Sequence, residues 1–99
     1  MNEDLKSYRG QRPGPEDVLL LIEVSDSSLE YDRGEKLQLH AGAGVREYWV
    51  VNIPHLQIEV FRDPQSREYR QRSVYGVGET VSPRGMKNLK LPVSSLFSP

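Results

Sequence analysis

The sequence predicts an α/β or α+β domain built on a mixed sheet, with one crossover helix and an antiparallel hairpin extension. Three observations carry this. A short apolar run broken by one acid, DVLLLIEV at Asp17–Val24, has the pattern of a central strand covered on both faces. A helical stretch, Leu29–Ala43, follows it. Two more strand-like runs, VREYWVVN at Val45–Asn52 and QIEVFR at Gln57–Arg62, then lie close enough to form a hairpin.

Taken in order, residues 1–16 are polar and rich in Gly and Pro, and Pro13 and Pro15 exclude helix, so this stretch is expected to be an irregular lead-in. After the first strand, Ser25–Ser28 supplies turn and capping residues. Gly44 stands where a left-handed residue closes the helix, and Gly34 and Gly42 weaken it from within. Residues 53–56 join the hairpin. Asp63-Pro64-Gln65-Ser66 is a turn signal before a third antiparallel strand, Glu68–Tyr75. Gly76–Glu79 is another turn, and Ser94 is placed to cap a short final turn.

The 99 residues suit one small domain. Cysteine is absent, which excludes disulfides, thiolate metal sites and thiol nucleophiles and fits a reducing compartment, so a cytoplasmic location is expected. The longest apolar run, Val18–Ile22, is too short to cross a bilayer, and the N-terminus lacks a signal-peptide core, so no membrane partner is expected. The net charge of −1 hides an asymmetry: residues 1–35 carry nine acids and four bases, residues 36–99 five acids and nine bases. A basic second half is compatible with phosphate contact, although Arg and Glu along a strand also solvate an exposed face.

Strand alternation puts Leu19, Leu21, Glu23 and Ser25 on one side, so Glu23 sits among core-facing leucines. A carboxylate there is costly to ionise unless it is paired, hydrogen-bonded or bound to a cation. Either its tip reaches water or a nearby base, or it is a metal ligand. At about 100° per residue, Leu29, Asp32, Lys36, Leu39, His40 and Ala43 share one side of the helix, which turns Lys36 toward the sheet. Asp32 and Lys36 also stand four apart, the spacing of an ordinary helical ion pair.

The stretch PGPEDVLLLIEVSDSSLEYDRGEKLQLHAGAGVREYWVVN closely resembles the second half of a bacterial family of restriction-endonuclease-like proteins labelled Uma. The likeness continues more weakly through the hairpin and GETVSP, and its features are the IEVSDSS strand end, the DRGEK helix start and the AGVREYWVVN turn into strand. That family is assigned to the PD-(D/E)XK nuclease superfamily. The resemblance implies a partial restriction-endonuclease-like core and magnesium- or manganese-dependent hydrolysis of DNA phosphodiester bonds. Glu23 would be a metal ligand, and Lys36 the cation that positions or activates the attacking water. The superfamily's usual lysine position, two residues after the glutamate, is Ser25 here. A lysine moved to the following helix can serve the same role, because catalysis needs its charge beside the phosphate rather than its place in the chain.

The family's other metal-binding carboxylate, an aspartate on a preceding strand, has no counterpart here. The expectation is a truncated domain with an incomplete metal site, weak metal binding and possible inactivity. Asp17, six residues from Glu23, would lie about 20 Å away along one strand. Asp26 falls past the strand end, and Glu3 and Asp4 have no fixed approach. His40 replaces the family's usual tyrosine and is expected to be structural. An exposed sheet edge suggests a homodimer, or a non-catalytic module that pairs with a related chain. Tyr48 and Trp49 are expected in the core, His55 in solvent, and the scattered glycines predict no nucleotide cofactor.

Overall fold

The computed structural model describes residues 18–97. The expected lead-in at 1–16, together with Glu3, Asp4 and Asp17, lies outside the described residues.

The mixed sheet has four strands in the order β1-β2-β3-β4: β1 Leu21–Ser25, β2 Glu47–Asn52, β3 Gln57–Gln65 and β4 Glu68–Gly76. β1 and β2 run parallel, with Leu21 opposite Tyr48 and Glu23 opposite Val50. The remaining pairs are antiparallel, Val50 opposite Glu59 and Phe61 opposite Arg72 among them. A parallel pair needs a crossover, supplied by α1 (Leu29–Arg33) and α2 (Glu35–Gly42). A two-stranded sheet, β5 (Thr80–Val81) with β6 (Leu91–Pro92), and a 3-10 helix, Val93–Leu96, complete the described chain.

Alternation along β2 divides the core. Trp49 and Val51 join Ile58 and Val60 on one face, closed by Val81, Val93, Leu91, Leu96 and Phe97 of the C-terminal segment. Tyr48, Val50 and Phe61 lie on the other face beneath Leu29 and Leu37 of the helices. Burying a large side chain of this kind contributes roughly 1.5–3 kcal/mol, so β2, buried throughout, anchors both layers.

The structure departs from the expected elements in physically readable ways. Among the described residues β1 pairs only with β2, and Ile22 and Val24, on the side away from the helices, are 45% and 63% exposed. The expected single helix breaks at Gly34, whose N–H bonds back to Glu30 O and Tyr31 O, and where a Cβ would meet Glu30 O at 3.0 Å. The break resets the phase of α2: Leu37 and Ala41 turn to the core, whereas Leu39 and Ala43, expected on the inner side, are exposed. Gly44 closes α2 as expected, at φ 85°, its N–H on Ala41 O and that of Val45 on His40 O, a Schellman arrangement. Pro64 does not end β3. It pairs with Tyr69, and the turn falls at Ser66, at φ 60°. Pro92, not Ser94, caps the last helix, and Ser95 Oγ donates to Pro92 O.

Candidate functional site

The covered side of β1 and the adjoining faces of the two helices bring Glu23, Asp32, Lys36 and His40 together. Lys36 Nζ lies 3.1 Å from Glu23 Oε2 and 3.9 Å from Asp32 Oδ1. Lys36 reaches the strand because α2 places it one turn before His40, both facing the sheet. Glu23 is the first cause of the raised pKa of Lys36: the ammonium hydrogen-bonds its carboxylate and stays charged. His40 packs its ring at 5.0 Å from that of Tyr48, and its Nε2 is 3.9 Å from Glu23 Oε2. Burial pulls the imidazole below its ordinary pKa. Glu23 opposes that shift and Lys36 adds to it.

Asp32 holds the floor of this site. Its carboxylate is buried and its Oδ2 accepts hydrogen bonds from the hydroxyls of Ser25 and, at 2.8 Å, Ser28. Tyr48 donates its hydroxyl to Asp32 O at 2.9 Å. Burial, then the charges of Asp32 and Glu23, raise the Tyr48 phenol well above its usual range, so it remains a donor. The Ser25 hydroxyl, at the end of β1, thus orients the Asp32 carboxylate.

The model of the family described as "Uma2: Putative restriction endonuclease" matches residues 2–94. The chain belongs to the Uma2 family. A crystal structure from Anabaena variabilis, described as a putative nuclease belonging to DUF820, has a similar fold: TM-score 0.61 at 18% identity, over 79% of this chain and 42% of that one. The chain therefore spans under half the length of that neighbour. No curated protein matches it.

A second cluster of this Uma2-family chain escaped the sequence reading. Glu59, fully buried on β3, accepts from Arg33 Nε at 3.0 Å and from the Arg33 terminal nitrogen, and from Asn52 Nδ2 at 3.0 Å; Arg72 lies 3.6 Å away. Burial pushes the Glu59 carboxyl up, but Arg33, Asn52 and Arg72 outweigh it and leave the pKa lowered. An acid at the third position of QIEVFR reads as a solvent-facing residue, and only the register Val50 opposite Glu59 reveals that it shares Glu23's face. Glu47 is likewise buried, accepting from Trp49 Nε1 at 2.6 Å, Arg62 Nε at 3.1 Å and Arg84 N at 2.8 Å. It ties the C-terminal segment to the sheet.

Of the other candidates in this Uma2-family chain, Asp26 and His55 are exposed, and His55 Nδ1 sits 3.1 Å from Asn52 Oδ1. Trp49 and Tyr48 are buried in the core. No helix among the described residues is long and apolar enough to cross a membrane. Magnesium calls for about six oxygen ligands. Among the described residues no three His, Asp or Glu side chains are grouped to hold a metal ion, and Glu23 is flanked by an ammonium and an imidazole. The described donors alone do not fit magnesium.

Proposed function

We propose that this chain carries the Glu–Lys part of a nuclease site that hydrolyses DNA phosphodiester bonds. The observation that supports the reading is the ion pair between Glu23 on β1 and Lys36 on α2 in a chain of the Uma2 family. Lys36 offers a persistent positive charge, one-third exposed, to a phosphate and to the charge that develops on it in the transition state. Glu23 orients that ammonium, and Asp32, fixed by Ser25 and Ser28, holds it from the other side.

Magnesium or manganese is the proposed cofactor, which would polarise the phosphate and supply an activated water. Glu23 would be one ligand, with water filling further positions. Calorimetric titration with either cation, together with nicking of supercoiled plasmid, tests the reading. Nicking that falls about a hundredfold or more in both Glu23→Gln and Lys36→Ala is expected. Nicking that is unchanged in these variants, or no metal uptake and no cleavage at all, contradicts it.

A second reading draws on the open side of the sheet. Among the described residues β1 pairs only with β2, and Ile22 and Val24 present an uncovered apolar face beside that edge. Edge strands of this kind template pairing with another chain. On this reading the chain is a homodimer, or an interaction module for a related chain, that uses Glu23 and Lys36 only structurally. Light scattering on the eluting protein distinguishes these: a dimeric mass that falls to a monomer in Val24→Lys supports the module, and a monomer of 11.3 kDa contradicts it.

A further inference from the structure

Glu59 is matched by more positive charge than it needs. Arg33 reaches it through Nε and a terminal nitrogen, and Asn52 adds Nδ2, which together engage both carboxylate oxygens. Arg72 Nη2 stands 3.6 Å from Oε1, too far for a hydrogen bond, and Arg72 donates to no acceptor among the described residues. Two guanidiniums on one carboxylate leave the cluster one positive charge in excess. Arg33 also feels the charge of Glu30 on α1, so Arg72, more than half exposed, is the guanidinium left open.

This spare charge is held in place rather than trailing in solvent. Arg72 Cζ lies 5.9 Å from the centre of the Phe61 ring, a cation–π contact, and the pairing of β4 with β3 sets Arg72 opposite Phe61. Glu23, Val50 and Glu59 are in register across three neighbouring strands, so Glu59 stands about 10 Å from Glu23, two strand spacings away on the same face. Successive phosphates of one DNA strand advance about 3.4 Å along the duplex axis, so a duplex with one phosphate at Lys36 brings another, a few nucleotides away, to Arg72.

We propose that Arg72, with the outer edge of Arg33 beside it, binds a backbone phosphate of duplex DNA a few nucleotides from the phosphate at Lys36. The inference takes from the proposed function the position of the reacting phosphate, and it adds the contact that holds the flanking backbone. A planar guanidinium presents paired N–H donors to phosphate oxygens, and such charge-assisted bonds are among the strong ones. Glu59 keeps Arg33 and Asn52 while the phosphate takes Arg72, so no buried group loses its partner. Because it touches phosphate and no base, the contact raises affinity without choosing a sequence.

The test is fluorescence anisotropy of a labelled duplex titrated with the full chain at several salt concentrations, without divalent cation so that no cleavage intervenes. Arg72→Gln is expected to weaken binding by about tenfold or more, equally on duplexes of unrelated sequence, the effect of losing one charge-assisted hydrogen bond to the backbone. The slope of log affinity against log salt should become shallower by about 0.9, the share of one phosphate contact. Arg72→Lys, which keeps the charge, should restore that slope. Arg84→Gln, which removes an arginine bonded to Gln71 on the opposite face of β4, should leave affinity and slope unchanged. Thermal melts of Arg72→Gln should match wild type, since Glu59 retains Arg33 and Asn52, whereas a merely structural arginine would move the melt and not the salt slope. No binding by the wild type, a slope unchanged in Arg72→Gln, or an equal fall in Arg84→Gln overturns the inference. Plasmid nicking is read apart from binding. Wild-type nicking alongside any of those three results keeps the nuclease reading without the Arg72 contact, and the expected binding without any nicking keeps the contact and removes the nuclease reading.

Discussion

Removal of the Glu59 carboxylate is expected to destabilise the helix-facing side of the sheet strongly. Glu59→Ala leaves Asn52 Nδ2 buried without its acceptor and strands the guanidinium of Arg33. Loss of one partner from a buried ion pair costs about 3–5 kcal/mol. Both arginines are partly exposed and recover some hydration, so about 2–4 kcal/mol is the expected loss. For a domain of this size that lowers Tm by roughly 10–25 °C. Glu59→Gln, which keeps the shape and one acceptor, should cost about 1–3 kcal/mol.

The same site sets an acid limit. The pKa of Glu59 is lowered in the folded state, so its contribution is complete above the unfolded value of about 4.3 and is lost as pH falls through the folded value. Wild-type stability should therefore fall as pH drops below about 4.3, and this slope should be shallower in Glu59→Gln. Thermal melts by circular dichroism between neutral and acid pH measure both effects. A Glu59→Ala variant within about 0.5 kcal/mol of wild type would refute the reasoning.

Other changes test separate parts of the structure. Asp32→Ala removes the acceptor of the Ser25 and Ser28 hydroxyls and should cost about 1–3 kcal/mol in urea denaturation, with Ser28→Ala, more exposed, costing less. Gly44→Ala forces a Cβ into φ 85° at the end of α2 and should destabilise by about 1 kcal/mol by the same measurement. Tyr48→Phe loses the buried hydrogen bond to Asp32 O and should cost about 1 kcal/mol without displacing the ring, which the near-ultraviolet spectrum would report. Ile22→Lys, on the exposed side of β1, should alter monomer stability by no more than about 0.5 kcal/mol.

The strand, helix, strand order and the hairpin were legible in the sequence because each has a local signature: a short apolar run, a helical period and two branched or aromatic runs. What escaped depends on contacts between elements. The apolar run at 18–24 reads as a central strand by composition, but its lateral place in the sheet is a tertiary property, and Ile22 and Val24 face outward. Gly34 was visible as a weak point, yet whether it bends or breaks the helix depends on how α1 and α2 both reach the sheet. That break explains why Leu39, placed inside by a continuous helical period, lies outside.

At the site, Glu23 and Lys36 were legible because each is unusual for its position, an acid in an apolar strand and a lysine on the inward face of a helix. Their contact across 13 residues required the fold. The roles of Asp32 and Glu59 were not legible. An acid four residues before a lysine is explained locally as a helical pair, and an acid alternating with apolar residues is explained as solvent-facing. Only the register and the hydroxyls of Ser25 and Ser28 show otherwise.

The central claim is that Glu23 and Lys36 act as one unit on a phosphodiester. A double-mutant cycle on the initial rate of supercoiled plasmid nicking, in a fixed concentration of divalent cation, tests it most directly. The account predicts that Glu23→Gln with Lys36→Ala is no slower than the worse single variant. Losses that multiply, or single variants that nick at the wild-type rate, would contradict it.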